Sequence, residues 1–258
     1  MARIIVCYKW VKSEEDLRIS ADMSVDLSKA KGKISDYDRN AIEAARLLAE
    51  ATGSDLVGLT FGGPDAKPSL KDALSRGLTQ VFWVNDSASA SADGSVTSTI
   101  LAAAIRKIDD FILVVCSEGA ADTYAHEIGP RLSILLGIPV ISYAIQMKAE
   151  GEMLAAVRKL EDSLETVSTR LPAVVTVLPE INPAPIPGLK AVLEAARKPS
   201  TEWKIAELGL SGDNLHRQTT VTSFKGYVMN RKKVVFKEGT AKERARALVA
   251  SLRKEGML

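Results

Sequence analysis

Histidine and cysteine are scarce in this 258-residue chain, at two each. The histidines are His126 and His216, and the cysteines are Cys7 and Cys116. No HExxH, Walker or zinc-ligand spacing occurs, so no metal site is expected. No Gly-x-Ser-x-Gly elbow surrounds a serine, which removes the commonest hydrolase signature. Long apolar runs are also missing, so a membrane-embedded chain is not expected. A net charge of +2 gives no electrostatic case for nucleic acid. Met1-Ala2-Arg3 runs straight into an apolar strand pattern, so no signal peptide is expected. Cys7 and Cys116 both fall in apolar stretches and fit small core residues in a reducing compartment, which points to the cytoplasm.

What is present is an ordinary globular composition, with 46% apolar and 26% charged residues, enough to build a sizeable core. The charge is unevenly spread. Residues 200–258 hold 12 Lys/Arg against 6 Asp/Glu, whereas the first 199 hold 22 against 26. A basic tail behind a mildly acidic body is either a solvated tail or a surface for an acidic partner.

The stretch 111–139, FILVVCSEGAADTYAHEIGPRLSILLGIP, organises the chain. Residues 111–116 form an apolar run that predicts a buried parallel strand. A small-residue turn follows at 117–121, and Asp122 opens a segment in which Ala125, Ile128, Leu132, Leu135 and Leu136 recur at helical steps. Gly137 and Pro139 end it. Strand, tight turn and helix place free N–H groups and the positive end of the helix dipole beside the strand's carboxyl end. That is a phosphate-binding geometry, though also the geometry of an ordinary βα turn. On this reading His126 sits in the first helical turn, either as a phosphate donor or as a surface residue. Glu118, Asp122 and Glu127 surround the same turn. They suit a helix N-terminus, and near a phosphate they need ribose hydroxyls or a cation.

The rest alternates strand and helix through residue 139. Strands are predicted at 4–8, 56–61 and 80–84, and helices from Ser35 or Asp36 to Gly53, over 69–76 and over 96–108. Weak alternation near 17–19 and 25–27 fits a small hairpin. Close-spaced strands at 140–145, 153–159, 165–171 and 173–177 predict an antiparallel excursion before a last central strand. Pro179, Pro183, Pro185 and Pro187 make a stiff exposed loop into a helix at 189–197. Residues 199–239 lack periodicity and predict an extended arm lying along another chain. Thr240 caps a terminal helix. The expected class is α/β: a doubly wound, mostly parallel sheet of the adenine nucleotide alpha-hydrolase-like kind, with a nucleotide-binding domain over 1–198 and an arm plus helix over 199–258. Ligands in such sheets bind beyond the strands' carboxyl ends, here Lys9, Phe61, Gly62 and residues 117–127. Those residues point to an adenine-type nucleotide. An adenine-nucleotide-binding enzyme or a nucleotide-sensing domain of the same class would share this geometry.

Several stretches together resemble the beta subunit of electron transfer flavoproteins. They are VCYKWV, ISDYDRNAIEAARLLAE, TFGGPDA with LKDALSRG, the 111–139 stretch, and TRLPAVVTVLPEINPAPIPGLKAVLEAARKP. KISDYDRNAIEAA, LSRG and DTYAHEIG look most like the subgroup associated with nitrogen fixation and carnitine metabolism. The resemblance implies a heterodimer with an alpha subunit that carries FAD, and AMP or a second FAD held by this chain. It implies a carrier with no catalytic residues of its own, moving electrons between an acyl-CoA dehydrogenase-type flavoprotein and a quinone oxidoreductase or ferredoxin. Carried over by position, the nucleotide residues are Cys7, Lys9, Ser35, Phe61, Gly62, Ser117, Asp122, Thr123, Tyr124, Ala125, His126, Glu127 and Ile128. Leu189, with Ile186 and Pro187, falls on the partner-docking loop. The chain departs from the family where Pro185 replaces the loop's usual Arg. Residues 94–98 only loosely echo an Asp-Thr-x-Ala-Thr run and lack its aligned Asp.

Overall fold

Apolar runs buried on both faces dictate where the strands lie. The computed structural model describes residues 2–212, 215–227 and 231–258. In chain order come β1 (Arg3–Cys7), β2 (Trp10–Lys12), β3 (Arg18–Ile19), β4 (Val25–Asp26) and β5 (Gly32–Ile34), then α1 (Asp36–Thr52). Next are β6 (Asp55–Gly62), α2 (Pro68–Ser75), β7 (Gln80–Asn85), α3 (Gly94–Arg106), β8 (Phe111–Ser117) and α4 (Ile128–Leu136). β9 (Val140–Glu150), β10 (Met153–Lys159), β11 (Leu164–Arg170) and β12 (Ala173–Val177) follow, then α5 (Leu189–Ala195), β13 (Ser200–Trp203) and α6 (Ala241–Lys254).

Among the described residues the main sheet runs β11-β10-β9-β12-β8-β1-β6-β7-β13. The ladders from β9 to β13 are parallel, and β10 pairs antiparallel with both β9 and β11. This is the expected doubly wound sheet with an antiparallel excursion. Helices cover both faces. α1, α2 and α5 pack Ile42, Ala45, Leu48, Leu70, Leu74 and Ala195 on the face shown by Ile4 and Val6. α3 and α4 pack Ile100, Ile105 and Leu132 on the face shown by Ile5 and Cys7. That alternation along β1 is the period-2 pattern of a strand buried on both sides. The chain leaves β1 through β6 and β7, then returns to β8 on β1's other side. The switch point therefore opens at the carboxyl ends of β1 and β8.

The 17–19 and 25–27 alternations do become a short hairpin, β3 and β4. A second ribbon, β2 with β5, was not predicted; each strand has three residues, too short for a periodic signal. The larger difference lies after residue 199. The sequence predicts an arm there, but Ser200–Trp203 adds to the sheet edge beside β7. Trp203 is only 8% exposed. Its ring stacks on Phe82 with centroids 4.9 Å apart, and the Lys107 ammonium lies 5.0 Å over its face. The first compact unit accordingly takes in residues up to Arg18 and from Asp26 to Ser223. The second comprises Ile19–Val25 and Phe224–Leu258. In it, Gly226 N–H donates to Met23 O at 2.7 Å, and α6 is closed at its start by a reciprocal Thr240–Glu243 capping box. No residue of α6 is buried.

Because Trp203 ties residues 199–223 to the sheet, Trp203→Ala should cost about 3 kcal/mol of stability. Denaturant unfolding checks this. A loss below about 1 kcal/mol would return the segment to a loosely attached arm.

Candidate functional site

The site starts with a carboxylate that the sequence left unassigned. Asp38 lies in the first turn of α1 and is only 4% exposed. One oxygen accepts the Lys9 N–H at 2.7 Å, and the other lies 2.5 Å from Ser117 Oγ. Asp38 thus joins the residues just past β1 to the end of β8. Burial pushes its pKa up to about 7; the bonds from Ser117 and Lys9 and the Lys9 charge pull it back, and Asp122 adds to the rise. A signal for it exists. Asp38 is in phase with Ala41, Ile42 and Ala45, so it sits on the buried stripe of α1.

Ser35 stands where a side-chain helix cap was expected, but its hydroxyl makes no cap bond. Instead it accepts the Ala121 N–H at 3.1 Å, while the Ser35 N–H donates to Lys9 O at 3.0 Å. The start of α1 is therefore knitted to both the β1 end and the 117–121 turn. At the far side, Glu118 N–H donates to Val177 O at 3.0 Å, which fixes the turn to β12.

The helix predicted from Asp122 begins six residues later, at Ile128. Tyr124 and His126 take left-handed backbone angles, with φ of 46° and 57°, and no α-helix runs through them. His126 and Ala125 are therefore outside the helix and precede it. The physical reason is local. The Tyr124 hydroxyl donates to buried Glu118 at 2.6 Å, and that bond holds its own proton well above the usual phenol range. The Tyr124 ring lies 5.2 Å from Tyr37 and meets His126 edge-on at 4.1 Å; His126 in turn lies 6.1 Å from Tyr143. These contacts hold a compact loop in place of two helical turns. Behind it, α4 approaches β12 so closely that a Cβ on Gly129 would lie 2.1 Å from Thr176 Cγ2. The same threonine accepts the Tyr143 N–H at 3.1 Å, where Tyr143 has φ of 63° beside a register shift in β9.

Lys9, Ser35, Ser117 and residues 122–128 thus converge on the switch point. Lys9 Nζ pairs with Asp122 at 2.6 Å, and Arg131 pairs with Glu127 at 2.9 Å. The Cys7 thiol points away, into the core cluster of Ile5 and Val114, and Cys116 is in that cluster too. Phe61 and Gly62 stand at the end of β6, next to β1. Gly62 is needed for packing, since a Cβ there would lie 2.7 Å from the Ala66 Cβ. Leu189, Ile186 and Pro187 belong to the proline loop and the start of α5.

A polar organic anion fits this donor set. In the first turn of α4 only Ile128 and Gly129 present N–H groups without intrahelical acceptors, since Pro130 has none and Arg131 N–H donates to Glu127 O at 3.1 Å. Lys9 supplies a positive charge beside Asp122. His126 Nδ1 is buried without a hydrogen-bond partner, 3.9 Å from Glu118. Beside them, Asp122 and Glu127 suit hydroxyl donors such as those of ribose. Sequence reasoning also passed over Asp93. It caps α3 through Val96 N–H at 3.0 Å and accepts the N–H groups of Gln218 and Thr219 at 2.5 and 2.9 Å. Burial works against its charge, but those three N–H donations and a fourth from the Thr219 hydroxyl hold its pKa down to about 2. It stands four residues before Thr97, one position ahead of the 94–98 run. Among the described residues no cluster of three or more His, Cys, Asp or Glu side chains could hold a metal, and no helix is long and apolar enough to cross a membrane.

The raised Asp38 pKa fixes a sign. Between the ordinary aspartate value near 4 and about 7, the folded protein holds a proton that the unfolded chain has released. Stability from this group is full below pH 4 and falls as pH rises to 7, by up to about 1.4 kcal/mol per pH unit. Asp38→Asn keeps an acceptor for Lys9 N–H and a donor toward Ser117, and should flatten that slope. Unfolding midpoints from pH 4 to 8 check it. Parallel pH profiles for the two proteins would contradict it.

Residues 22–208 match the family model described as the electron transfer flavoprotein domain. The match begins after β1 and Lys9; it takes in the β8 side of the switch point, the helices α1 to α5 on both faces and the proline loop. It ends just beyond β13, in the segment that the sheet rather than an arm accounts for. The chain belongs to the electron transfer flavoprotein domain family, whose members are flavin-associated electron carriers that work with partner redox proteins.

Proposed function

We propose that this chain is the beta subunit of a cytoplasmic electron transfer flavoprotein, of the subgroup associated with nitrogen fixation and carnitine metabolism. It pairs with an alpha subunit carrying FAD and holds AMP or a second FAD at the β1–β8 switch point. The complex moves electrons from an acyl-CoA dehydrogenase-type flavoprotein to a quinone oxidoreductase or ferredoxin. The bound flavin supplies the redox chemistry. This chain supplies position.

Its residues divide that work. Lys9 and the first turn of α4 take the nucleotide's phosphate, and Lys9 must then be shared with Asp122. Asp122 and Glu127 accept from ribose hydroxyls. The His126 Nδ1 left without a partner faces the same loop. Asp38, Ser35 and Ser117 hold the loop's roots. The basic arm beyond Ser223 and α6, with Leu248 and Val249 exposed, pack on the alpha subunit.

The observation that carries the docking part is exposure. Ile186 and Leu189 are 92% and 75% exposed, on or beside a loop stiffened by four prolines. An apolar side chain held in water on a rigid loop loses little freedom on binding and gains burial. Leu189→Arg in the assembled heterodimer should raise the KM for an acyl-CoA dehydrogenase at least about tenfold, from the lost burial of a leucine. Flavin content should stay unchanged. Wild-type transfer kinetics in that variant would remove the docking role.

A further inference from the structure

The four prolines of residues 179–188 stiffen the loop by fixing φ, but stiffness does not say where the loop points. Packing places its start, where Ile181 lies against the core and Lys159 pairs with Glu180 at 2.8 Å, but little of the rest of the loop. A groove of about 230 Å³ separates it from α1 and α2, lined by Ile42, Arg46, Arg76, Pro185 and Pro187 among others. Beyond that start, placement falls to hydrogen bonds at two points.

At the near end, Asn40 of α1 donates through Nδ2 to Asn182 O at 2.6 Å and to Pro179 O at 3.3 Å. Asn182 answers with its own Nδ2 to Asn40 O at 3.2 Å. At the far end, Arg76, just past α2, donates to Pro185 O at 3.3 Å. Its guanidinium is itself held by Asp72, at 2.9 Å from Nε. Pro179 and Pro185 have no N–H to tie the backbone at these points, so side-chain donors to the loop's carbonyls supply the tethers. Beyond the second tether come Ile186 and Leu189, and on α5 behind them Leu193, all exposed.

We propose that Asn40 and Arg76 are positioning residues that aim the proline loop for its redox partner. This rests on the docking reading of Leu189 given above. Neither side chain needs to touch the partner. Each removes freedom from the loop before association, so the ordering cost is not met at the moment of binding. The effect falls on partner KM and leaves kcat alone, because the loop takes no part in the transfer step itself.

The test uses the assembled heterodimer with an acyl-CoA dehydrogenase and its acyl-CoA substrate. Asn40→Ala and Arg76→Ala should each raise the KM for the dehydrogenase about fivefold, the worth of one hydrogen bond. The kcat and nucleotide content should stay at wild-type values. Arg76→Lys, which keeps a donor, should recover most of the loss. A readout without any partner is trypsin cleavage after exposed Lys190, which should quicken by a similar factor in both alanine variants. Unchanged KM and unchanged cleavage in both, while Leu189→Arg still impairs transfer, would overturn the positioning role and leave docking intact. If Leu189→Arg also has no effect, the docking reading falls and takes this inference with it.

Discussion

One buried carboxylate ties the functional end of this sheet together. Asp38 accepts from the Lys9 backbone and meets the Ser117 hydroxyl, so the two strand ends that frame the switch point are joined through a third element, α1. Without it the Lys9 N–H would be left unpaired at the edge of the core, which costs more than the bond itself is worth. The burial of Asp38 is unfavourable, as its raised pKa shows. Its retention fits a role in setting geometry. Ser35 repeats the logic with a neutral hydroxyl, joining α1 to Ala121.

From that anchor the rest of the site follows. The 117–121 turn is fixed at both ends, to α1 and to β12. The loop after it cannot continue as helix, because Tyr124 and His126 are left-handed and their rings are engaged. Non-glycine residues in that conformation are uncommon and are found where a surrounding structure over-determines them. Here Glu118, Tyr37 and Tyr143 do so. The consequence is that α4 starts late, at Ile128.

Much of this was legible in the sequence, for physical reasons. Buried parallel strands are continuous apolar runs, so β1, β6, β8 and β12 stood out. The α1 stripe ended at Gly53, which takes the left-handed cap, and Thr240 capped α6 as its chemistry predicts. Other features gave too little signal. Ser-Thr-Glu-Trp at 200–203 is a four-residue edge strand, and one buried tryptophan does not make a period. The start of α4 was misplaced because helical spacing from Ala125 onward is a statement about side chains. The break is in the backbone, and although histidine visits left-handed angles more often than most residues, neither Tyr124 nor His126 marks one by its sequence position. Asp38 was legible in principle, since it sits in phase with Ala41 and Ala45. An acidic residue in a first helical turn also suits the helix dipole, so its position alone does not single it out. The loop tethers Asn40 and Arg76 pair across 139 and 109 residues and left no local trace.

The family membership, the switch-point loop and the exposed proline loop meet in one proposal: that the chain holds a nucleotide at one place and a partner at another. The most direct measurement is to co-express it with its alpha subunit, purify the complex, extract the nucleotides and count FAD and AMP per heterodimer. The account predicts two nucleotides, either FAD with AMP or two FAD, so that one belongs to this chain. A stable complex carrying a single FAD and no second nucleotide would contradict the switch-point site. A chain that copurifies with no partner and no flavin would contradict the subunit assignment as well.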